Sequence, residues 1–219
     1  MFKIIKKKES YYFCKNGIII STPNSNLLFT KKKSHANLIL RELEQNNLED
    51  LSILGLTYFS CNLTKDERRI MEEKIVELLD YDNVFYRCNN TVPLNRFLDK
   101  NLNKFVFVFG NKFKMKLVLL DSILKKQSGV SKKYFINYLK GLDIFFISIF
   151  YKISLLISST ILTYFFIEKE ISQKTLCKLS NLETNFQQKT WGIVEEQKRI
   201  DEEYNNILNK LSIFLQIIA

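Results

Sequence analysis

Ile144 to Ile167 is the most apolar stretch of this 219-residue chain, and any fold must take it out of water. About 20 apolar residues suffice to cross a bilayer, so length alone allows a membrane span. The interior of the stretch argues against one. Lys152 lies within it, where a charge costs about 2.5 to 3.5 kcal/mol on insertion scales, and Ser148, Ser154, Ser158, Ser159, Thr160 and Thr163 dilute it. No second such stretch occurs. The segment is therefore expected as a buried core helix or a pair of helices, with Lys152 on the exposed edge and without stable membrane insertion.

A chain in which 46% of residues are apolar can build a core around it. Six glycines and two prolines, with no Ser/Gly or Pro-rich tract, leave only short connections for a domain boundary. The formal net charge of +10 admits two readings, solvated surface or a phosphate-binding face. The lysines fall in short scattered runs (Lys6 to Lys8, Lys31 to Lys33, Lys125 with Lys126, Lys132 with Lys133), which favours the first; a basic nucleic-acid-binding protein is the alternative. Cys14, Cys61, Cys88 and Cys177 form no C-x-x-C or zinc spacing, which points to a reducing compartment. Met1 to Lys8 is basic but is followed by polar and aromatic residues rather than an apolar signal core, so neither a signal peptide nor a long presequence is expected. A bacterial cytoplasm fits this, with the mitochondrial matrix as the alternative.

Tyr11 to Lys15 and Ile18 to Thr22 read as strands joined by Asn16-Gly17, the dipeptide suited to a type I′ hairpin. Pro23 to Asn26 is a second turn, from which Leu27 to Thr30 returns as a third strand of a meander. Ser34 is expected to cap a helix carrying Leu38, Ile39 and Leu43, stopped by Asn46-Asn47. From Thr64 the pattern is helical, with Thr64 and Glu67 in capping-box spacing ahead of Ile70, Met71, Ile75, Leu78 and Leu79. Pro93 marks a break, and by periodicity alone Phe105 to Phe109 and Leu117 to Leu120 suit either helix or strand, with helix favoured. Leu182 to Leu215 carries apolar residues at three- and four-residue steps and is expected as a long amphipathic helix, continuous or interrupted, with a bend or a close backbone approach at Gly192. The fold class is α+β: a small β-rich domain over residues 1–60, with a hairpin and one helix, then a larger multihelical domain over 61–219.

Catalytic motifs are missing. No glycine-rich phosphate loop occurs, and no cofactor or metal is expected. The only histidine, His35, lies at a helix start and is read as a surface residue. The acidic pairs Glu72-Glu73, Glu195-Glu196 and Glu202-Glu203 diverge by roughly 100° on a helix, which does not suit a general acid and base. Glu195 is placed to pair with Arg199 one turn on. The chain is not expected to be an enzyme.

Several segments, in order along the chain, resemble a known family. Leu179-Ser180-Asn181-Leu182-Glu183, then Phe186-Gln187, Trp191-Gly192 and Val194-Glu195-Glu196, are similar to the C-terminal signature of the mitochondrial and bacterial chaperones for the ATP synthase alpha subunit. Gly17 with Thr22-Pro23, and Tyr81-Asp82 through Tyr86-Arg87-Cys88 ahead of Pro93, resemble further family segments. The chain departs from that pattern at Glu42-Leu43 and across Asn101 to Leu117, where Phe105 and Phe107 stand near replaced positions.

The resemblance implies a chaperone for assembly of the F-type ATP synthase catalytic head. It would bind the free alpha subunit, shield its interface until beta subunits arrive, and act as a monomer with no nucleic-acid partner. By the same resemblance Glu195, Glu196 and Arg199 are expected to bind the partner, and Arg87 is expected either as a partner contact or as a structural ion-pair residue. Trp191 is expected as a buried anchor, with Gly192 beside it.

Overall fold

Asn16 and Gly17 take φ values of 52° and 87°, as a type I′ turn requires, and they join β2 (Ser10–Lys15) to β3 (Ile18–Ile19) in register Cys14↔Ile19. The computed structural model of the chain describes residues 1–47, 49–87, 92–192 and 195–219. Cys88 and Val194, named above, lie outside the described residues. The other edge of β2 is occupied by β1 (Phe2–Lys7), antiparallel and running from Phe2↔Lys15 to Lys7↔Ser10. Lysines crowd this segment, as suits an edge strand, and they disguise it in the sequence.

The third predicted strand forms as β4 (Phe29–Thr30), but the sheet is not a meander. β4 pairs with the N-terminal half of β2, alongside the same edge that β3 uses at the other end. Between β3 and β4 the chain makes an excursion closed by Ser21↔Leu27 and by the Thr22 amide donating to the Asn26 carbonyl at 2.7 Å.

Two compact units make up the described chain, and each is discontinuous in sequence. The first comprises Met1–Met71, Leu142–Ile149 and Asn209–Ala219; the second comprises Glu72–Gly141 and Phe150–Leu208. In the first unit, α1 (Lys33–Glu44) begins one residue before the expected cap: Lys32 is the cap and makes no side-chain bond, so Ser34 lies inside the first turn. Asn46, at φ 54°, ends the helix where expected. α2 (Ile53–Asn62) has almost no polar face for a periodic pattern to reveal. Its free amides are satisfied from two directions. Ser52 Oγ accepts from Gly55, and the Glu42 carboxylate accepts from Ile53 and Leu54, the latter at 2.6 Å.

His35 is not a surface residue. It is 1% exposed, with Nδ1 2.7 Å from Thr30 Oγ1 and Nε2 2.8 Å from Thr57 Oγ1. Its ring meets those of Phe145 and Phe214 edge-on. The Thr57 hydroxyl donates to the Ile53 carbonyl at 2.6 Å, so its oxygen accepts from Nε2–H and Nδ1 accepts from Thr30. This is the neutral ring. Burial, reinforced by nearby Lys32, lowers its pKa to about 4. Helical periodicity explains the location: His35, Ala36, Ile39 and Leu43 form the buried stripe of α1.

α3 (Lys65–Asp80) starts with the predicted capping box. Glu67 donates its amide to Thr64 Oγ1 at 3.2 Å, and the Thr64 amide donates back to the Glu67 carboxylate at 2.7 Å. In the second unit a 3-10 turn (Asn83–Phe85) leads towards α4 (Val92–Phe113). Pro93 lies in the first turn of α4, where a missing amide hydrogen is no loss. Phe105 to Phe109 are helical within α4, whereas Leu117 to Leu120 are not. They form an extended strap whose Leu120 bridges in parallel to Tyr86. α5 (Lys133–Gly141) contributes Phe135 and Tyr138 to an aromatic cluster with Phe109, Phe113 and Tyr164; the Phe109 and Phe113 centroids are 4.7 Å apart.

The long apolar stretch is a helix pair, α6 (Ile144–Ile157) and α7 (Thr160–Ile167). Among the described residues no helix is long and apolar enough to cross a membrane. Lys152 is half-buried, and Leu155 is the exposed residue of its turn. The break falls at Ser158, φ 50°, and Ser159 caps α7 through the Leu162 amide. Asp82, fully buried, accepts from the Ile161 amide at 2.8 Å and the Val84 amide at 3.1 Å. Desolvation pushes its pKa up to about 6, against the pull of those bonds and of others from Ser159 and Thr160. α8 (Gln173–Ser180), α9 (Leu182–Trp191) and α10 (Glu195–Ile218) complete the α+β fold; the expected long C-terminal helix is two helices.

Asp82→Ala leaves buried amides without an acceptor, and is expected to lower unfolding stability in urea by at least about 2 kcal/mol. The two buried titrating groups act on stability with opposite signs. Neutral His35 favours the unfolded chain as pH falls from 6.5 towards about 4. Asp82 instead withdraws stability as pH rises from 3.8 through about 6. Comparing the chain with His35→Gln cancels the Asp82 contribution. Over the acid window, the parent is expected to lose stability relative to the variant in pH-dependent urea titrations.

Candidate partner-binding surface

The three C-terminal helices of the second unit hold the signature residues in place through a few specific contacts. Leu179 and Leu182 are buried, and Phe186 packs its ring 5.8 Å from that of Phe97 on α4. Ser180 Oγ lies 2.6 Å from the Tyr204 hydroxyl, so α8 is tied to α10. Asp201 on α10 accepts from Gln188 on α9 and from Gln197 one turn back, both at 2.9 Å. These bonds fix α9 against α10 around the bend between them.

That bend is set by Gly192. Its φ of 87° and ψ of 172° are open to glycine and strained for any residue with a Cβ, and its amide donates to the Gln188 carbonyl at 2.9 Å. Trp191, immediately before it, is 78% exposed. The expectation of a buried anchor is thus corrected. α9 fully buries only Leu182, near its start, and Trp191 is its last residue.

Glu195 and Glu196 occupy the first turn of α10, both exposed, where acidic side chains complement the positive end of the helix. Arg199 is exposed on the following turn. The Glu195 to Arg199 pair does not form, and among the described residues neither side chain has a hydrogen-bond or ion-pair partner. Trp191, Glu195, Glu196, Arg199 and the half-exposed Ile200 therefore present apolar and charged groups to solvent around a single bend.

Arg87 is elsewhere and differently employed. It is buried; Nε donates to Asp99 at 2.8 Å, one terminal nitrogen donates to the Val84 and Tyr86 carbonyls, and the other donates to Asn103 Oδ1 at 2.8 Å. These bonds make it a structural tie between the 3-10 turn and α4. The exposed apolar side chains of the second unit were not singled out in the sequence. Phe107 is 69% exposed, Ile123 79% and Leu124 91%. In α4 the buried stripe Leu98, Leu102, Phe105, Val106, Phe109 leaves Phe107 on the opposite side, so the helical period contained that signal.

No protein-family model matches the chain. By sequence, 177 residues, 78% of the chain, align at 23% identity with the protein atp12, mitochondrial, of Schizosaccharomyces pombe. The alignment spans 60% of that relative's length. By structure, the crystal structure of Atp12 from Paracoccus denitrificans matches with a TM-score of 0.80 at 16% identity, over 100% of this chain and 96% of its own. A point mutant of the same Atp12p matches with a TM-score of 0.84 at 15% identity, over 100% and 95%. A small N-terminal antiparallel sheet followed by a multihelical region defines the class. The chain has the Atp12 fold and is homologous in sequence to the S. pombe Atp12.

Because nothing lies within 4 Å of a Cβ added at Gly192, Gly192→Ala tests the bend's backbone alone. It is expected to cost about 1 to 3 kcal/mol in urea unfolding.

Proposed function

We propose that the chain is an assembly chaperone for the catalytic head of an F-type ATP synthase, and that it binds the free alpha subunit without catalysing a reaction. The observation that carries this reading is the agreement of two comparisons, the sequence match to S. pombe Atp12 and the overlap of the whole chain with P. denitrificans Atp12. The physical task suits the molecule. An orphan subunit exposes the apolar interface meant for its neighbours, and such patches aggregate. A cover for it needs exposed apolar and charged groups that can let go, which the bend at Gly192 supplies.

Glu195 is the contact residue of this reading, with Glu196 and Arg199 beside it. Exposed side chains without intramolecular partners are available to another chain. The protein acts as a monomer, in a bacterial cytoplasm or alternatively in the mitochondrial matrix; the S. pombe relative is named as mitochondrial.

The test is capture of isolated alpha subunit by the purified chain. The parent is expected to hold alpha subunit in solution. Glu195→Lys is expected to reduce capture about tenfold at low salt with an unchanged urea midpoint, since charge reversal at a rim contact acts mainly on association. Equal capture by both proteins removes Glu195 from the surface. Failure of the parent to keep alpha subunit soluble removes the function.

A further inference from the structure

Among the described residues, the strap after α4 has backbone partners at alternate positions only. Val118 donates its amide to Gln127 Oε1 at 3.2 Å, and its carbonyl accepts from Gln127 Nε2 at 2.6 Å. Leu120 donates to the Phe85 carbonyl at 2.9 Å and accepts from the Arg87 amide at 2.7 Å. Alternate residues whose backbone groups turn to the same side are the mark of extended chain. The even positions are thus paired inward, by a buried glutamine side chain and by the segment around Arg87. The amides and carbonyls of Leu117 and Leu119 turn the other way and have no partner among the described residues.

This free edge runs beside an apolar groove. Phe107 and Val106 of α4 and the strap's own Met115, Leu117 and Leu119 form its apolar lining, and Asn103, Asn111 and Lys116 its polar rim. Gly110 lets the strap lie this close: a Cβ there would stand 2.8 Å from the Met115 carbonyl oxygen. Phe107 is mostly exposed, and Val118 and Leu119 are close to half exposed. Lysines predominate here, between Asp99 and Asp121. From Lys100 to Leu120 the sequence contains Lys100, Lys104, Lys112, Lys114 and Lys116 and no acidic residue.

We propose that this edge takes an added β-strand from another protein, an extended segment in which apolar and acidic side chains alternate. An unpaired row of backbone groups is the template for such addition. The strand's side chains on the Leu117 and Leu119 face would enter the groove against Phe107, hence apolar. The alternate side chains would meet Lys116 at the rim of the groove, hence acidic. A second copy of this chain does not suit the edge, because it would bring the same lysines into opposition. This inference concerns the strap alone and is independent of the identity proposed above for the partner.

The probe is a short end-blocked peptide alternating glutamate and valine, titrated into the isotope-labelled full chain and followed by amide NMR. The expected result is saturable shifts centred on Leu117 and Leu119, with slowed hydrogen exchange at those two amides. A peptide with lysine in place of glutamate is expected to bind at least about tenfold more weakly. Leu119→Pro removes the donor and Leu119→Ala keeps it, so the first is expected to weaken binding about tenfold and the second less. The exchange measurement on the parent needs neither variant to fold. The proposal is overturned by shifts centred elsewhere, by unchanged exchange at saturation, or by equal losses in the two variants. It is also overturned if the strap binds phosphatidylserine vesicles but not the peptide.

Discussion

A single buried carboxylate decides what the most apolar part of this chain becomes. Left continuous, Ile144 to Ile167 has the length to cross a bilayer. Ser158 and Ser159 divide it, and the exposed amides at the start of α7 then need acceptors in a region without water. Asp82 supplies them to Ile161 and Thr160 while also closing the turn at Val84. The neighbouring Asn83 amide donates to the Ser158 carbonyl at 3.1 Å. A carboxylate in so dry a place is costly by itself, as its raised pKa shows, and it is tolerated because every bond it accepts belongs to a group that would otherwise be orphaned. The aromatic cluster around Phe109 and Tyr164 depends on α7 standing where this capping puts it.

The same rule separates structural from available polar groups elsewhere. His35 is enclosed by two threonine hydroxyls and Arg87 is engaged by a carboxylate, an amide oxygen and two carbonyls, so both are buried ties within the fold. Around Gly192 and along the strap the opposite holds. There, side chains or backbone groups have no partner among the described residues and lie beside exposed apolar surface. Such places are tolerable in water and become favourable only when a partner replaces that water.

Local rules were legible in the sequence wherever the interaction lies within a few residues. The Asn16-Gly17 turn, the Thr64 and Glu67 capping box, the stop at Asn46 and the interruption at Gly192 all belong to this kind. Features set by distant partners were not. His35 reads as a surface residue until Thr57, more than twenty positions on, closes over it. Ser34 has the better capping side chain, yet α1 starts at Lys33 and leaves it in the first turn. β1 hides behind its lysines because an edge strand is paired on one side only. Trp191 is a large apolar residue at helical spacing, which ordinarily means burial; its exposure follows from being the last residue of a short helix, something the helical period does not convey. Of the candidate surface, the acidic start of α10 was visible from resemblance, whereas the strap was concealed by the ambiguity of Leu117 to Leu120, apolar enough for either helix or strand.

The two surfaces differ in what they can contribute to binding. Exposed carboxylates at a helix start are screened by salt within about 10 Å and act chiefly on encounter and choice of partner. A groove with an open backbone edge acts at contact: it gains from removing apolar surface from water and from hydrogen bonds that replace those to solvent. A chain meant to hold a partner and later surrender it is served by keeping these functions apart. Capture can then be selective without being very tight, and a permanent neighbour that buries more apolar area than the strap and the bend can offer will displace it.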